Sequence, residues 1–450
     1  MRYTTERHLA IWAVIVMAAI VNDTAAAGES RNEGDALRPN IVFVICDDLR
    51  YDTFGFMNYP HVQTPNIDKL AAEGVRFTNA FVNIAICGPS RISFWTGKYP
   101  GAHRGPDFLK TLEQAGYQTR EVGKMHGTGG KACFVKYNGE RRHQSEVNYL
   151  ETEVFLRQRD QDRPFCLRLG YVCTHAPFQP ASDTNDLYRA VRFANPKTRT
   201  SEYFDTLPEI LRTNLNVTRY KKVFPPSQGD EPFQRFVRNY LRCVTTIDRS
   251  VGKVMELLDR FKLTDNTIVV FTSDHGFFLG EHGYGGKWTA HEPSMRIPLI
   301  IRDPRLTRER QGLSVDNCAL NVDLCPTVLD FAGVQSAVDL HGRSLRPLLA
   351  GTTLPDWRKD FYYRFDWGHA QIPQCEAVRT DRFKYVAYWP NKTGDQQRPV
   401  VEQLFDLLQD SDESQNLTHD PAKTELMTKL RSRCKELRTL YGGARKKAKP

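Results

Sequence analysis

Two runs of β-branched and apolar residues, Asn40-Ile41-Val42-Phe43-Val44-Ile45 and Thr267-Ile268-Val269-Val270-Phe271-Thr272, constrain the fold more than any other feature of the sequence. Neither run alternates polar with apolar side chains, so each reads as a strand buried on both faces, the habit of parallel sheets. Both break into polar clusters, Cys46-Asp47-Asp48 and Ser273-Asp274-His275. A third strand-like run, residues 165–172, ends just before His175. Helical patterns fall between such runs, at 66–74, 90–96, 107–116, 233–261 and 322–332, with further short strands at 119–122 and 298–301. This alternation predicts an α/β fold, a large and mainly parallel sheet flanked by helices.

The character changes after about residue 341. Residues 378–385 read as a hairpin strand, 404–407 as another and 421–440 as a closing helix, which predicts a smaller C-terminal subdomain with a short antiparallel sheet. Residues 181–232, rich in Pro, Asn and Arg, read as surface loops and short helices that form a pocket rim. The expected division is a leader at 1–27, a main α/β domain at 28–340, the subdomain at 341–440 and a basic flexible tail at 441–450. The leader follows from Arg2 and Arg7, an apolar stretch at 9–21 and Ala25-Ala26-Ala27, the order of a secretory signal peptide. Its apolar stretch falls short of the roughly 20 residues of a membrane span, so no stable insertion is expected after cleavage.

The chain carries a net charge of +9, none of it from the leader, where Arg2 and Arg7 balance Glu6 and Asp23. An exported basic protein suits a polyanionic partner. No helix-turn-helix, RNA-binding or zinc-finger pattern accompanies that charge, which disfavours nucleic acid. Ten cysteines permit disulfides in an exported chain, although Cys46 within its strand reads as a buried free thiol.

In open α/β sheets, ligands sit outside the carboxyl ends of the strands. Asp47-Asp48, His175 and Asp274-His275 all fall there. Adjacent carboxylates face one another cheaply only around a cation, so a divalent metal is the simplest reading.

The most specific segment is Cys87-Gly88-Pro89-Ser90-Arg91, continued by Ile92-Ser93-Phe94-Trp95-Thr96-Gly97. It resembles the sulfatase signature C-x-P-S-R-x4-T-G at every fixed position. Gly116-Tyr117-Gln118-Thr119-Arg120-Glu121-Val122-Gly123-Lys124-Met125-His126 is similar to a second segment of that family, G-Y-x-T-x-x-x-G-K-x-H. The likeness runs from Pro39 to about Leu417 and points to the type I, formylglycine-dependent sulfatases of the alkaline phosphatase superfamily. Its general leaning is towards sulfatases of glycosaminoglycans and other sulfated carbohydrates.

The resemblance implies that a maturation enzyme oxidises Cys87 to formylglycine. The hydrated aldehyde then attacks sulfur from one hydroxyl, and sulfate is eliminated as the other loses its proton. It implies one calcium ion, or another divalent metal, held by Asp47, Asp48, Asp274, His275 and modified Cys87. Calcium prefers oxygen, and His275 stands where many sulfatases place Asn or Gln. Lys124 and Lys287 would hold sulfate oxygens and Arg91 would touch the diol. His126 would hold or relay a proton, and His175 would protonate the leaving alcohol.

The expected function is hydrolysis of sulfate esters, with a sulfated carbohydrate as substrate. Alternatives are a phosphonate or phosphate ester hydrolase of the same superfamily, or a non-catalytic protein that binds sulfated glycans. The expected location is periplasmic or extracellular in a bacterium, lysosomal or secreted in a eukaryote. In a eukaryote Asn216, Asn391 and Asn416 are candidate glycan acceptors.

Overall fold

A computed structural model describes residues 38–102, 105–125, 133–366, 369–390 and 398–442. The leader, His126, Asn391 and residues 443–450 of the tail lie outside the described residues. The elements that build the site are the strands β1 (Asn40–Cys46), β2 (Val75–Phe77), β3 (Gln118–Gly123), β4 (Phe165–Tyr171), β5 (Thr267–Ser273), β6 (Leu299–Arg302) and β7 (Ser314–Val315). They form a seven-stranded sheet in the order β7-β2-β6-β5-β1-β4-β3. Strand β1 is central and pairs in parallel with β4 and β5, and β3 pairs in parallel with β4. Only β6 runs against its neighbours β5 and β2.

The continuous apolar run of β1 is explained by this position. Ile41, Phe43 and Ile45 enter one core, and Val42, Val44 and Cys46 enter another on the opposite face. The flanking helices are α1 (Pro65–Glu73), α2 (Cys87–Thr96), α3 (Leu215–Val223) and α4 (Glu231–Arg260). Helix α4 buries Val237, Leu241, Val244, Val251 and Leu258 in the second core. That spacing is one apolar stripe of a helix.

After residue 341, β8 (Asp360–Phe365), β9 (Gln374–Thr380), β10 (Phe383–Trp389) and β11 (Val401–Asp406) form an antiparallel meander. Helix α5 (Thr424–Leu437) buries Met427, Leu430, Cys434 and Leu437. The segment 378–385 is not a single strand. It carries the end of β9, the Asp381-Arg382 turn and the start of β10, because Thr380 Oγ1 bonds Phe383 across the turn. The expectation of surface loops and short helices at 181–232 holds, with helices at Ser201–Thr206 and Glu209–Arg212 as well as α3. The sequence reading missed the hairpin Phe134–Tyr137 with Glu140–His143 and the helix Gln144–Gln158.

All ten cysteines are free and buried, so the permitted disulfides do not form. Their side chains fill the interior as small hydrophobes, and Cys173 Sγ donates to Gln179 O at 3.5 Å.

Candidate active site

Sheet register brings the site together. Cys46 lies level with Tyr171 on one side and Ser273 on the other, and Gly123 lies level with Gly170. The residues after each strand therefore emerge side by side. Asp47 N donates to Tyr171 O (2.9 Å), Asp274 N to Cys46 O (2.9 Å) and Lys124 N to Gly170 O (3.2 Å). Only glycine permits the last approach, since a Cβ on Gly170 would lie 1.9 Å from Lys124 O. Asp48 turns into the left-handed region (φ 60°), which is uncommon for a non-glycine residue and recurs where function demands it. Its N–H meets Asp274 Oδ1 at 3.3 Å.

Helix α2 begins at Cys87, three residues earlier than the sequence suggests. Pro89 is tolerated because first-turn N–H groups have no helical partner to lose. Gly97 ends the helix in the left-handed region (φ 65°), its N–H bonding Ser93 O, which accounts for the Thr-Gly that closes the signature. Ser90 Oγ donates to Asp274 O at 2.5 Å, and Arg91 Nε to Asp274 Oδ2 at 2.8 Å. The helix and β5 are thus fastened through signature residues.

Asp47, Asp48, Cys87 and His275 present ligand atoms that lie within 4.8 Å of one another, all buried. Cys87 Sγ is 3.2 Å from Asp47 Oδ1 and 3.4 Å from His275 Nε2. Lys287 Nζ donates to Asp48 Oδ1 (2.5 Å) and lies 3.2 Å from Cys87 Sγ. Lys124 pairs with Asp47, and Arg91 also donates to Lys124 O. Asp274 stands beside the four, with Oδ1 3.3 Å from His275 Nε2. His175 is half-buried at the mouth, with Nδ1 2.7 Å from Ala176 O.

The electrostatics follow from burial and from close charges. Burial pushes Asp48 up to about 6 against the opposing pull of Lys287. Burial acts the same way on Asp274, but His275, Arg91, Lys287 and Lys124 outweigh it and hold that carboxyl well below the usual range. Burial lowers His275 to about 3 and, with Lys287 and Lys124, His175 to about 3. Burial raises Cys87 to about 11, so the unmodified residue is a thiol and a poor nucleophile at neutral pH.

The donor set can hold a metal ion. Two buried carboxylates converge, and His275 Nδ1, 3.0 Å from Gly276 O, fits the tautomer that leaves the Nε2 lone pair facing the cluster. The Lys287 ammonium shares that space, as expected where buried carboxylates demand positive charge.

Several positioning residues were not legible in the sequence. Tyr240 of α4 donates to Asp48 O (2.8 Å) and accepts from Arg50 N (2.9 Å). Thr174 Oγ1 donates to Asp47 O (2.6 Å). Asn216 Nδ2 donates to Lys287 O (2.7 Å). A tyrosine on an amphipathic helix looks like core, so Tyr240 gives no signal. Asn216 is buried with its amide engaged, which removes it as a glycan acceptor in the folded chain. Asn416 is exposed.

Comparison with known proteins agrees with this geometry. Residues 39–334 match the sulfatase family model, and 280–440 match the model for the C-terminal part of N-sulphoglucosamine sulphohydrolase. The chain is 29% identical to an N-acetylglucosamine-6-O-sulfatase of Bacteroides thetaiotaomicron, over 78% of this chain and 79% of that one. A solved structure in complex with its substrate D-glucosamine-2-N,6-O-disulfate superposes with a TM-score of 0.78 at 25% identity, covering 92% of this chain and 100% of that one. The phosphonate monoester hydrolase of Agrobacterium radiobacter shares the fold, with a TM-score of 0.75 at 20% identity over 90% and 96% of the two chains. The strand ends, the signature helix and the matched family model all lead to one assignment: the chain belongs to the sulfatase family, within the alkaline phosphatase superfamily, and is a sulfuric ester hydrolase.

Proposed function

We propose that the protein removes sulfate from a sulfated carbohydrate of the glycosaminoglycan type, using formylglycine made from Cys87. The observation that carries this reading is the buried convergence of Asp47, Asp48, Cys87 and His275, flanked by Lys124 and Lys287. Asp47, Asp48, Asp274 and His275 would hold the metal, calcium by preference, which when bound supplies positive charge to a sulfate oxygen. Formylglycine, once made, supplies a nucleophile with two hydroxyls on one carbon, from which sulfate can leave.

The chain's own residues do the rest. Lys124 and Lys287 bind the sulfate oxygens and neutralise charge as the ester bond breaks. Arg91 holds Asp274 in place, and its Nη2, buried with no hydrogen-bond partner among the described residues, is a donor left for an oxygen on residue 87. Burial, Lys287 and Lys124 lower His175 to about 3 and so favour its neutral form. A bound sulfate ester offsets those two cations and lets His175 hold the proton it delivers to the leaving oxygen. His126 is assigned a proton role by the family motif alone. The likeness to an N-acetylglucosamine-6-O-sulfatase and to a structure that holds D-glucosamine-2-N,6-O-disulfate supports an amino sugar.

The same reading assigns residues 1–27 to an export signal, 28–340 to the catalytic domain, 341–440 to the subdomain and 441–450 to a tail. No helix among the described residues is long and apolar enough to cross a membrane. The decisive test is mass spectrometry of the peptide containing residue 87 from the native host. An aldehyde at residue 87 is expected, and thiol alone would overturn the mechanism. Calcium dependence is tested separately: chelation should abolish turnover of an aryl sulfate, and calcium should restore it.

A further inference from the structure

A pocket of about 550 Å³ opens from Asp48 and His175 and widens towards α3 and the start of α4. One part of its wall is aromatic. Phe178 packs on Phe236 and Phe277 at ring-centroid distances of 4.8 and 5.8 Å, a surface on which the apolar face of a sugar ring can lie. The other part is cationic, formed by Arg219 and Lys222 on α3 and Arg235 on α4, all exposed. Among the described residues none of these three has a hydrogen-bond or ion-pair partner. Their neighbours differ: Arg192 and Arg199 pair with Asp230, and Arg238 with Glu231. Nearby arginines are thus paired with acids, whereas among the described residues the three cations that line the pocket are not. Arg219 is also held in place, its guanidinium lying 4.6 Å from the centre of the Trp288 ring, next to Lys287.

The sulfate being cleaved is already served by Lys124 and Lys287, which are buried at the cluster. Arg219, Lys222 and Arg235 line the pocket beyond that buried cluster. We propose that Arg219, Lys222 and Arg235 form a second anion subsite, which takes a sulfate or carboxylate elsewhere on the saccharide while the Phe178–Phe236–Phe277 wall carries its ring. The substrate class is therefore a saccharide bearing at least two anionic groups, a choice that rests on the sulfatase reading above. Charge-assisted bonds to a planar guanidinium give such a group both affinity and orientation. The chain's net charge of +9 favours the approach of a polyanion.

The test measures binding of heparin- and chondroitin-derived disaccharides carrying one, two or three sulfates. Calorimetric titration is used with the full mature chain, and inhibition of 4-nitrophenyl sulfate turnover is followed in parallel. Binding should tighten by about tenfold per added anion in the wild type. In the triple variant Arg219→Ala, Lys222→Ala, Arg235→Ala that gain should disappear, while Arg219→Lys with Arg235→Lys retains most of it. Affinity independent of anion number, or a gain that survives in a folded triple variant, would overturn the proposal. Failure to hydrolyse any sulfate ester would count against the sulfatase reading instead, since the titration reads the pocket without turnover.

Discussion

Three buried carboxylates, Asp47, Asp48 and Asp274, face three buried cations, Arg91, Lys124 and Lys287. Each cation is positioned by a different element, so single substitutions separate their roles. Cys87→Ala should abolish turnover of an aryl sulfate while melting as the wild type does; a near-normal rate would refute the assigned nucleophile. Lys287→Ala should lower kcat/KM by about 10²–10³, the loss typical for a donor aimed at developing charge. Steady-state kinetics on the same aryl sulfate checks this, and an unchanged value would leave Lys287 as a structural partner of Asp48. Of these residues, the sequence marked Cys87, Arg91, Lys124 and Lys287 through likeness to family motifs and the acids by their position after strands.

The element that aims Lys287 is the junction between α3 and the Gly285-Gly286-Lys287 loop. Asn216, in the first turn of α3, donates to Lys287 O, and its own backbone O accepts from Gly285 N (3.1 Å). Gly286 sits at φ +152°, where a Cβ would lie 2.5 Å from Asn216 Oδ1. Trp288, next along, adopts a positive φ of 89° and is held through Tyr363 Oη, which donates to Trp288 O at 2.6 Å. Gly286→Ala should therefore push the loop off α3 and reduce kcat/KM by about tenfold or more, since small misplacement of a reacting group is costly. A variant with wild-type kinetics would show that the loop is free to adjust. The loop's dependence on α3 was hidden because residues 181–232 show no periodicity that would pair them with residue 286.

At the scale of the whole molecule, a buried charge network joins the C-terminal meander to the short helix Glu292–Met295, which lies between β5 and β6 in the chain. Lys384 of β10 lies between Glu292 (3.1 Å) and Glu413, with Arg379 3.5 Å from Glu292. Lys384→Met leaves these carboxylates short of charge and should cost about 3–5 kcal/mol in denaturant unfolding; a loss under about 1 kcal/mol would deny the network its structural part. Burial raises Glu413 to about 7, with Glu292 adding to the shift and Lys384 opposing it. A carboxyl whose folded value is raised stabilises the fold below its ordinary value near 4.5, and that contribution is lost as pH climbs through 7. Glu413→Gln should accordingly lessen the fall in Tm between about pH 5 and pH 8, and an identical slope would show that the group does not titrate there. The α/β class, the buried strands, the meander's location and the signature helix were all legible in the sequence, because burial on two faces, helical spacing and a contiguous motif are local properties. Strand order, the antiparallel β6, the free thiols, the burial of Asn216 and the open cations of the pocket were decided only by tertiary structure. Each depends on which distant segments lie side by side, and that follows from closing the sheet around β1.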